Sequence, residues 1–161
     1  IIGAAINTSE HEEIVDIIRD EMLALSIHPN NLVVLAPTNE KIRSLEFLYR
    51  QISHEKTTHT SETKEEYENF SQFKSKLEEI RRGRKLHFWA NSGTVKFSTI
   101  HSFKGWEAHT LILIISDTRS DEYEGSLNEL IYTALTRARN NLIVIDTTSL
   151  YREFFAKFTK K

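Results

Sequence analysis

At 161 residues the chain has the length of one domain, and its 39% hydrophobic content suffices to bury a core. The absence of cysteine excludes disulfides and thiolate metal sites, and makes a cytoplasmic, reducing setting the default expectation. A formal net charge of -2 supplies no overall cationic field for a polyanion, so any nucleic-acid contact must come from a local surface. The longest apolar run, Leu111 to Ile115, is too short to span a bilayer, and no membrane partner is expected. The start, Ile1-Ile2-Gly3, has neither an initiator Met nor the basic-then-apolar order of a signal peptide, and reads as a piece of a longer chain.

Short apolar runs alternate with helical periodicity throughout. Gly3 to Ile6 reads as a strand, and Ser9 with Glu12 as a capping box before a helix carrying Ile14, Ile17, Ile18, Met22 and Leu25. His28 to Asn31 is a turn, and Leu32 to Leu35 is apolar throughout, as a strand covered on both faces must be. Pro37-Thr38-Asn39 opens a helix with the stripe Ile42, Leu45, Tyr49 and Ile52. Ser53 to Ser61 is polar without periodicity. Lys64 to Arg82 reads as one charged helix, with Gly83 as its C-cap. A short strand is expected at Leu86 to Trp89, a better one at Val95 to Thr99, and a buried one at Thr110 to Ile115.

The helical stripe Leu127, Leu130, Ile131, Ala134, Leu135 and Ala138 comes next, then a strand at Leu142 to Ile145 and a tail helix from Leu150 to Phe158. Doubly apolar strands between amphipathic helices imply an α/β domain of three layers with a mostly parallel sheet. Residues 53–92 break the rhythm and read as a helical insertion. Ligands in such folds sit at the carboxyl ends of strands, which directs attention to the residues after Leu35 and Ser98.

After the strand at Val95 comes Thr99-Ile100-His101-Ser102-Phe103-Lys104-Gly105-Trp106-Glu107. As chemistry alone, this is either a polar strand-to-helix connection or a ligand loop with an imidazole, an ammonium and a carboxylate. The pattern Thr-x-His-x-x-Lys-Gly-x-Glu resembles motif V of UvrD/Rep/PcrA-type superfamily 1 DNA helicases, with Trp106 where that family usually has Leu. The resemblance implies that Thr99 and His101 contact single-stranded DNA and that Glu107 reaches the sugar of ATP. Lys104 and Gly105 would shape the loop between them, Lys104 on the DNA side and Gly105 on the nucleotide side.

Tyr132-Thr133-Ala134-Leu135-Thr136-Arg137-Ala138-Arg139 carries an arginine at the border of an apolar helical stripe. On spacing alone, Arg137 is an ordinary helix-end cation. The string closely resembles motif VI of the same helicases, whose arginine contacts the γ-phosphate of ATP from the second RecA-like domain; this makes Arg137 the expected catalytic finger. Arg139 is read as structural. A weaker likeness covers Leu32 to Asn39 with Arg43 following, where Thr38 is either a DNA contact or a helix N-cap, and Pro37 replaces the usual arginine.

Arg81, Arg82, Arg84 and Lys85 beside Phe88 and Trp89 read either as phosphate contacts with a stacking platform or as a solvated helix end before core aromatics. The seven histidines fall at no metal-ligand spacing.

The resemblance thus implies a RecA-like (P-loop NTPase-like) second domain of an ATP-dependent DNA helicase. Its partners would be single-stranded DNA, ATP and the first RecA-like domain of the same parent, which would hold the magnesium. No phosphate-cradling Gly-Lys-Ser/Thr loop occurs in these residues, so the chain alone is expected to be inactive. The alternative is a helicase-like remnant that binds nucleic acid or protein without hydrolysis. An intact or degenerate phosphate loop upstream in the parent separates the two.

Overall fold

The computed structural model describes residues 11–88, 91–116, 127–148 and 150–157. The strand expected at Gly3 to Ile6, the cap at Ser9, the ring of Trp89 and the end of the tail helix at Phe158 lie outside the described residues.

In chain order the elements are α1 (His11–Ala24), a 3₁₀ turn (Pro29–Asn31), β1 (Leu32–Ala36), α2 (Asn39–Ser53), β2 (Thr57–His59), α3 (Lys64–Phe70) and α4 (Lys74–Leu86). There follow β3 (Val95–Thr99), β4 (Ala108–Ile115), α5 (Leu127–Leu135), β5 (Ala138–Asp146) and α6 (Arg152–Ala156). The sheet order is β2-β3-β1-β4-β5, and every pairing is parallel.

Alternate residues of the strands feed two cores. Val34, Phe97, Ile112 and Ile143 pack with Ile14, Ile18, Ile42, Leu45 and Tyr49 of α1 and α2. Val33, Leu35, Leu111, Leu113 and Val144 pack on the other face with Leu130, Ile131 and Ala134 of α5 and Phe155 of α6. Helices cover both faces, which is why β1 and β4 are apolar nearly from end to end. The expected three-layer α/β architecture is the one observed.

Four expectations are corrected. The polar stretch from Ser53 contains β2, an edge strand paired to β3 through Thr57↔Val95 and His59↔Phe97. Lys64 to Arg82 is two helices, α3 and α4, broken at Ser71 to Phe73. Gly83 lies inside α4, whose C-cap is His87, and Leu86 ends that helix rather than starting a strand. Finally, α5 stops at Leu135, and Ala138 begins β5 instead of extending the helical stripe. Arg137 therefore sits in the turn between helix and strand.

The stretch 53–92 is fastened by buried charge as well as by the buried Leu77 and Phe88. Glu62, fully buried, accepts from Arg43 Nη1 and from Arg81 Nε (2.6 Å) and Nη2 (2.9 Å), while the Arg43 guanidinium lies 3.8 Å from the centre of the Tyr67 ring. Burial pushes the Glu62 carboxyl up, but the hydrogen bonds and charge of Arg81, helped by Arg43, leave it below the ordinary carboxylate value. Glu46 receives Arg50 (3.1 Å), and Glu66 receives Arg84 (2.8 Å).

Lys96 is a different case. It is buried in β3, donates to the carbonyls of Asn30 (2.7 Å) and Thr94 (3.3 Å), and has no carboxylate partner among the described residues. Burial lowers its pKa from the ordinary 10.5 to about 8. The unfolded chain then holds this proton more tightly than the folded one, so stability should rise as pH climbs from 8 toward 10.5. Between pH 7 and pH 10 the protein should gain up to about 3 kcal/mol that Lys96→Met does not gain. Urea unfolding of both proteins at the two pH values checks this; parallel pH profiles would contradict it.

Candidate nucleotide and nucleic-acid site

The stretch 100–107 connects β3 to β4, which are parallel with β1 between them. Thr99 pairs with Ala36 at the carboxyl end of β1, whereas Thr110 of β4 pairs with Leu32 at its amino end. The connection must therefore travel the length of β1 backwards, roughly 15 Å at about 3.3 Å per residue. It starts at one edge of the sheet and ends at the other.

Local bonds explain its path. The Thr99 hydroxyl accepts from Ser102 N–H (3.2 Å) and donates to Ser102 Oγ (2.9 Å), and Phe103 N–H donates to the Thr99 carbonyl (3.1 Å). These fix a helical turn at the carboxyl edge. Ile100 and Phe103 anchor it in the core beneath, and Phe103 meets Phe88 edge-on with ring centres 6.2 Å apart. Gly105 has φ +92°, a left-handed conformation that disfavours a side chain and lets the chain bend down to β4. Trp106, the departure from the family pattern, packs edge-on against Phe88 at 5.9 Å.

Thr99 is buried, with its hydroxyl engaged in the turn, whereas His101 and Lys104 are exposed. Thr38, also buried, is the N-cap of α2, accepting from Lys41 N–H at 3.3 Å. It also lines a cleft of about 680 Å³ at the carboxyl edge, together with His11, Lys41, Ser116 and Thr147. Burial and the charge of Lys41 lower the pKa of His11, and burial lowers that of Lys41.

At the opposite edge the two long motifs meet. Ala108 N–H donates to the Arg137 carbonyl at 2.9 Å, and Ala108 pairs with Ala138. Glu107 and Arg137 are thereby fixed side by side. Arg137 N–H donates to the Ala134 carbonyl (3.0 Å) and its Nε to the Thr133 carbonyl (3.4 Å), closing the end of α5. Its half-buried guanidinium has no carboxylate partner among the described residues. Glu107 is paired instead with Arg139, Nε to Oε2 at 2.6 Å. Sequence reasoning missed this pair, because nothing in the spacing reveals a contact across the start of two strands.

The basic run of α4 is largely spent within the domain, Arg81 on Glu62 and Arg84 on Glu66, and Phe88 is a buried core ring. The solvated helix end before core aromatics is the better description. Among the described residues no three His, Asp or Glu side chains gather as a metal site would need, and no helix is long and apolar enough to cross a membrane.

Residues 94–145 match the family model of the UvrD-like helicase C-terminal domain, a stretch that holds both long motifs. No curated protein matches the chain. Among solved structures, the C-terminal domain of a possible DNA helicase from Lactobacillus plantarum WCFS1 is similar, with a TM-score of 0.53 at 13% identity over 90% of this chain and 71% of that one. At that identity the likeness concerns the fold, and it agrees with the motif-bearing stretch. Residues 94–145 thus match the UvrD-like helicase C-terminal domain family, and the chain as a whole has an α/β fold similar to that of a helicase C-terminal domain.

Proposed function

We propose that the chain is the second motor domain of an ATP-dependent DNA helicase, supplying one wall of the nucleotide site and part of the grip on single-stranded DNA. The observation that carries this reading is the eight-residue connection from Thr99 to Ala108, whose exposed His101 leaves one edge of the sheet and whose Glu107 arrives beside Arg137 at the other. The groups fit ATP: a carboxylate to accept from a sugar hydroxyl and a guanidinium to donate to a terminal phosphate. The first RecA-like domain of the parent would hold the remaining phosphates and the magnesium. Thr99 serves by holding the turn that presents His101, and Thr38 by capping the helix whose first turn faces the same edge.

One loop touching both ligands is a coupling element, because each ligand biases the same short segment. In the full-length parent, His101→Ala should retain basal ATP hydrolysis but lose most of its stimulation by single-stranded DNA. Glu107→Ala should weaken nucleotide use and leave DNA affinity in the absence of nucleotide within about twofold of the parent, a surface-substitution effect. ATPase rate against DNA concentration, alongside fluorescence anisotropy for DNA affinity, separates the two variants. Identical behaviour of both, or full stimulation in His101→Ala, would contradict the assignment.

A further inference from the structure

The Arg139–Glu107 pair holds more than its exposed position suggests. Both side chains are accessible, at 68% and 47%, and an isolated surface pair of this kind contributes little. This pair is not isolated. Its two residues flank Ala108 and Ala138, which are paired across β4 and β5, and the Ala108–Arg137 backbone bond fixes the approach of the two chains. The backbones are already fixed, so the freedom lost when the ion pair forms is that of the two side chains alone. The bond occupies Oε2 of Glu107, leaving Oε1 outside it. It also gives Glu107 a partner other than the adjacent Arg137, whose guanidinium has no carboxylate among the described residues.

Resting on the nucleotide reading above, we propose that Arg139 is a positioning residue for the sugar of ATP. It holds Oε2 of Glu107, so that Oε1 stands ready to accept from a ribose hydroxyl and the carboxylate does not turn onto Arg137. Closure of a nucleotide and a neighbouring domain over this edge removes water from the pair, which strengthens the restraint where it is used.

The test uses the full-length parent, with steady-state ATPase at saturating single-stranded DNA and with ATP and 2′,3′-dideoxy-ATP as the two probes. Arg139→Ala should raise KM for ATP roughly two- to fivefold, the worth of one such pair, while kcat changes less. The preference for ATP over the dideoxy nucleotide should shrink by a similar factor. Arg139→Lys should restore most of both. In the Glu107→Ala background, adding Arg139→Ala should change nothing further, because Arg139 acts through the acid.

An Arg139→Ala enzyme with parental KM and parental sugar preference, or additive effects of the two substitutions, would overturn this inference while leaving the nucleotide site intact. If Glu107→Ala itself leaves KM and sugar preference unchanged, the assignment of Glu107 fails, and this inference falls with it.

Discussion

Arg137→Ala in the full-length parent is expected to cost about 10³-fold or more in DNA-stimulated ATP turnover, while ATP binding stays within roughly tenfold. The expectation rests on the placement of the backbone. Residue 137 is held by its N–H on Ala134 and by its carbonyl under Ala108, so its Cα cannot drift. Among the described residues the guanidinium donates to the Thr133 carbonyl through Nε, and its remaining donors can be directed outward from the amino edge of the sheet. A cation so placed acts on charge that develops as a phosphoryl group transfers, so its loss appears in kcat more than in affinity. If Arg137 were only closing the end of α5, removing it would cost a few tenths of a kcal/mol of stability and leave turnover near normal. Steady-state ATPase with and without DNA, beside equilibrium binding of a fluorescent ATP analogue, distinguishes a thousandfold loss from none.

Glu62→Ala should damage the fold as much as truncating a core side chain, costing about 3–5 kcal/mol. Removing the carboxylate strands Arg43, which is 7% exposed, against Tyr67, and deprives Arg81 of two hydrogen bonds. Against a total stability of roughly 5–15 kcal/mol, the variant would sit near the edge of folding. Glu62→Gln keeps the shape and one acceptor, and should cost less. The pH dependence has a definite sign. Because the folded pKa lies below the unfolded one, Glu62 stabilises the protein above the ordinary carboxylate value, and that contribution fades as pH falls through its folded pKa. Urea unfolding at neutral pH and at pH 4 reads both effects; a loss under about 1 kcal/mol in Glu62→Ala would mean that the two arginines find water or other partners at little cost.

The elements legible in the sequence were those that apolar spacing specifies: β1, β3 and β4, and the inner stripes of α1, α2 and α5. What escaped has a common cause. β2 consists of Thr57, Thr58 and His59, an edge strand too short and polar for any period to register. Ala138 fits the spacing of α5 equally well, and the polar Arg139-Asn140-Asn141 that opens β5 carries no strand signal. Arg43 and Glu62 look like solvated charges in one dimension and are buried in three, because each finds its counterpart on another element, while Glu46 takes Arg50 of its own helix and Thr57 of β2. At the site, the motifs identified Glu107 and Arg137 separately. Only the pairing of β4 with β5 makes them neighbours and reveals Arg139 bonded to the acid.

The strand order has a kinetic corollary. β1, the middle strand, has β3 and β4 as its two neighbours, and the chain reaches them only some sixty and seventy-five residues later. During synthesis α1 and α2 can meet each other early, but β1 stays unpaired on both sides until residue 99 has emerged, and on its second side until residue 113. Loops of that length are slow to close, and proteins dominated by distant pairings fold late and cooperatively. A nascent chain halted before β3 would expose the apolar edge and faces of Leu32–Ala36, a segment prone to stick to other chains. In refolding, the sheet should therefore appear in one slow step, with helical signal preceding it.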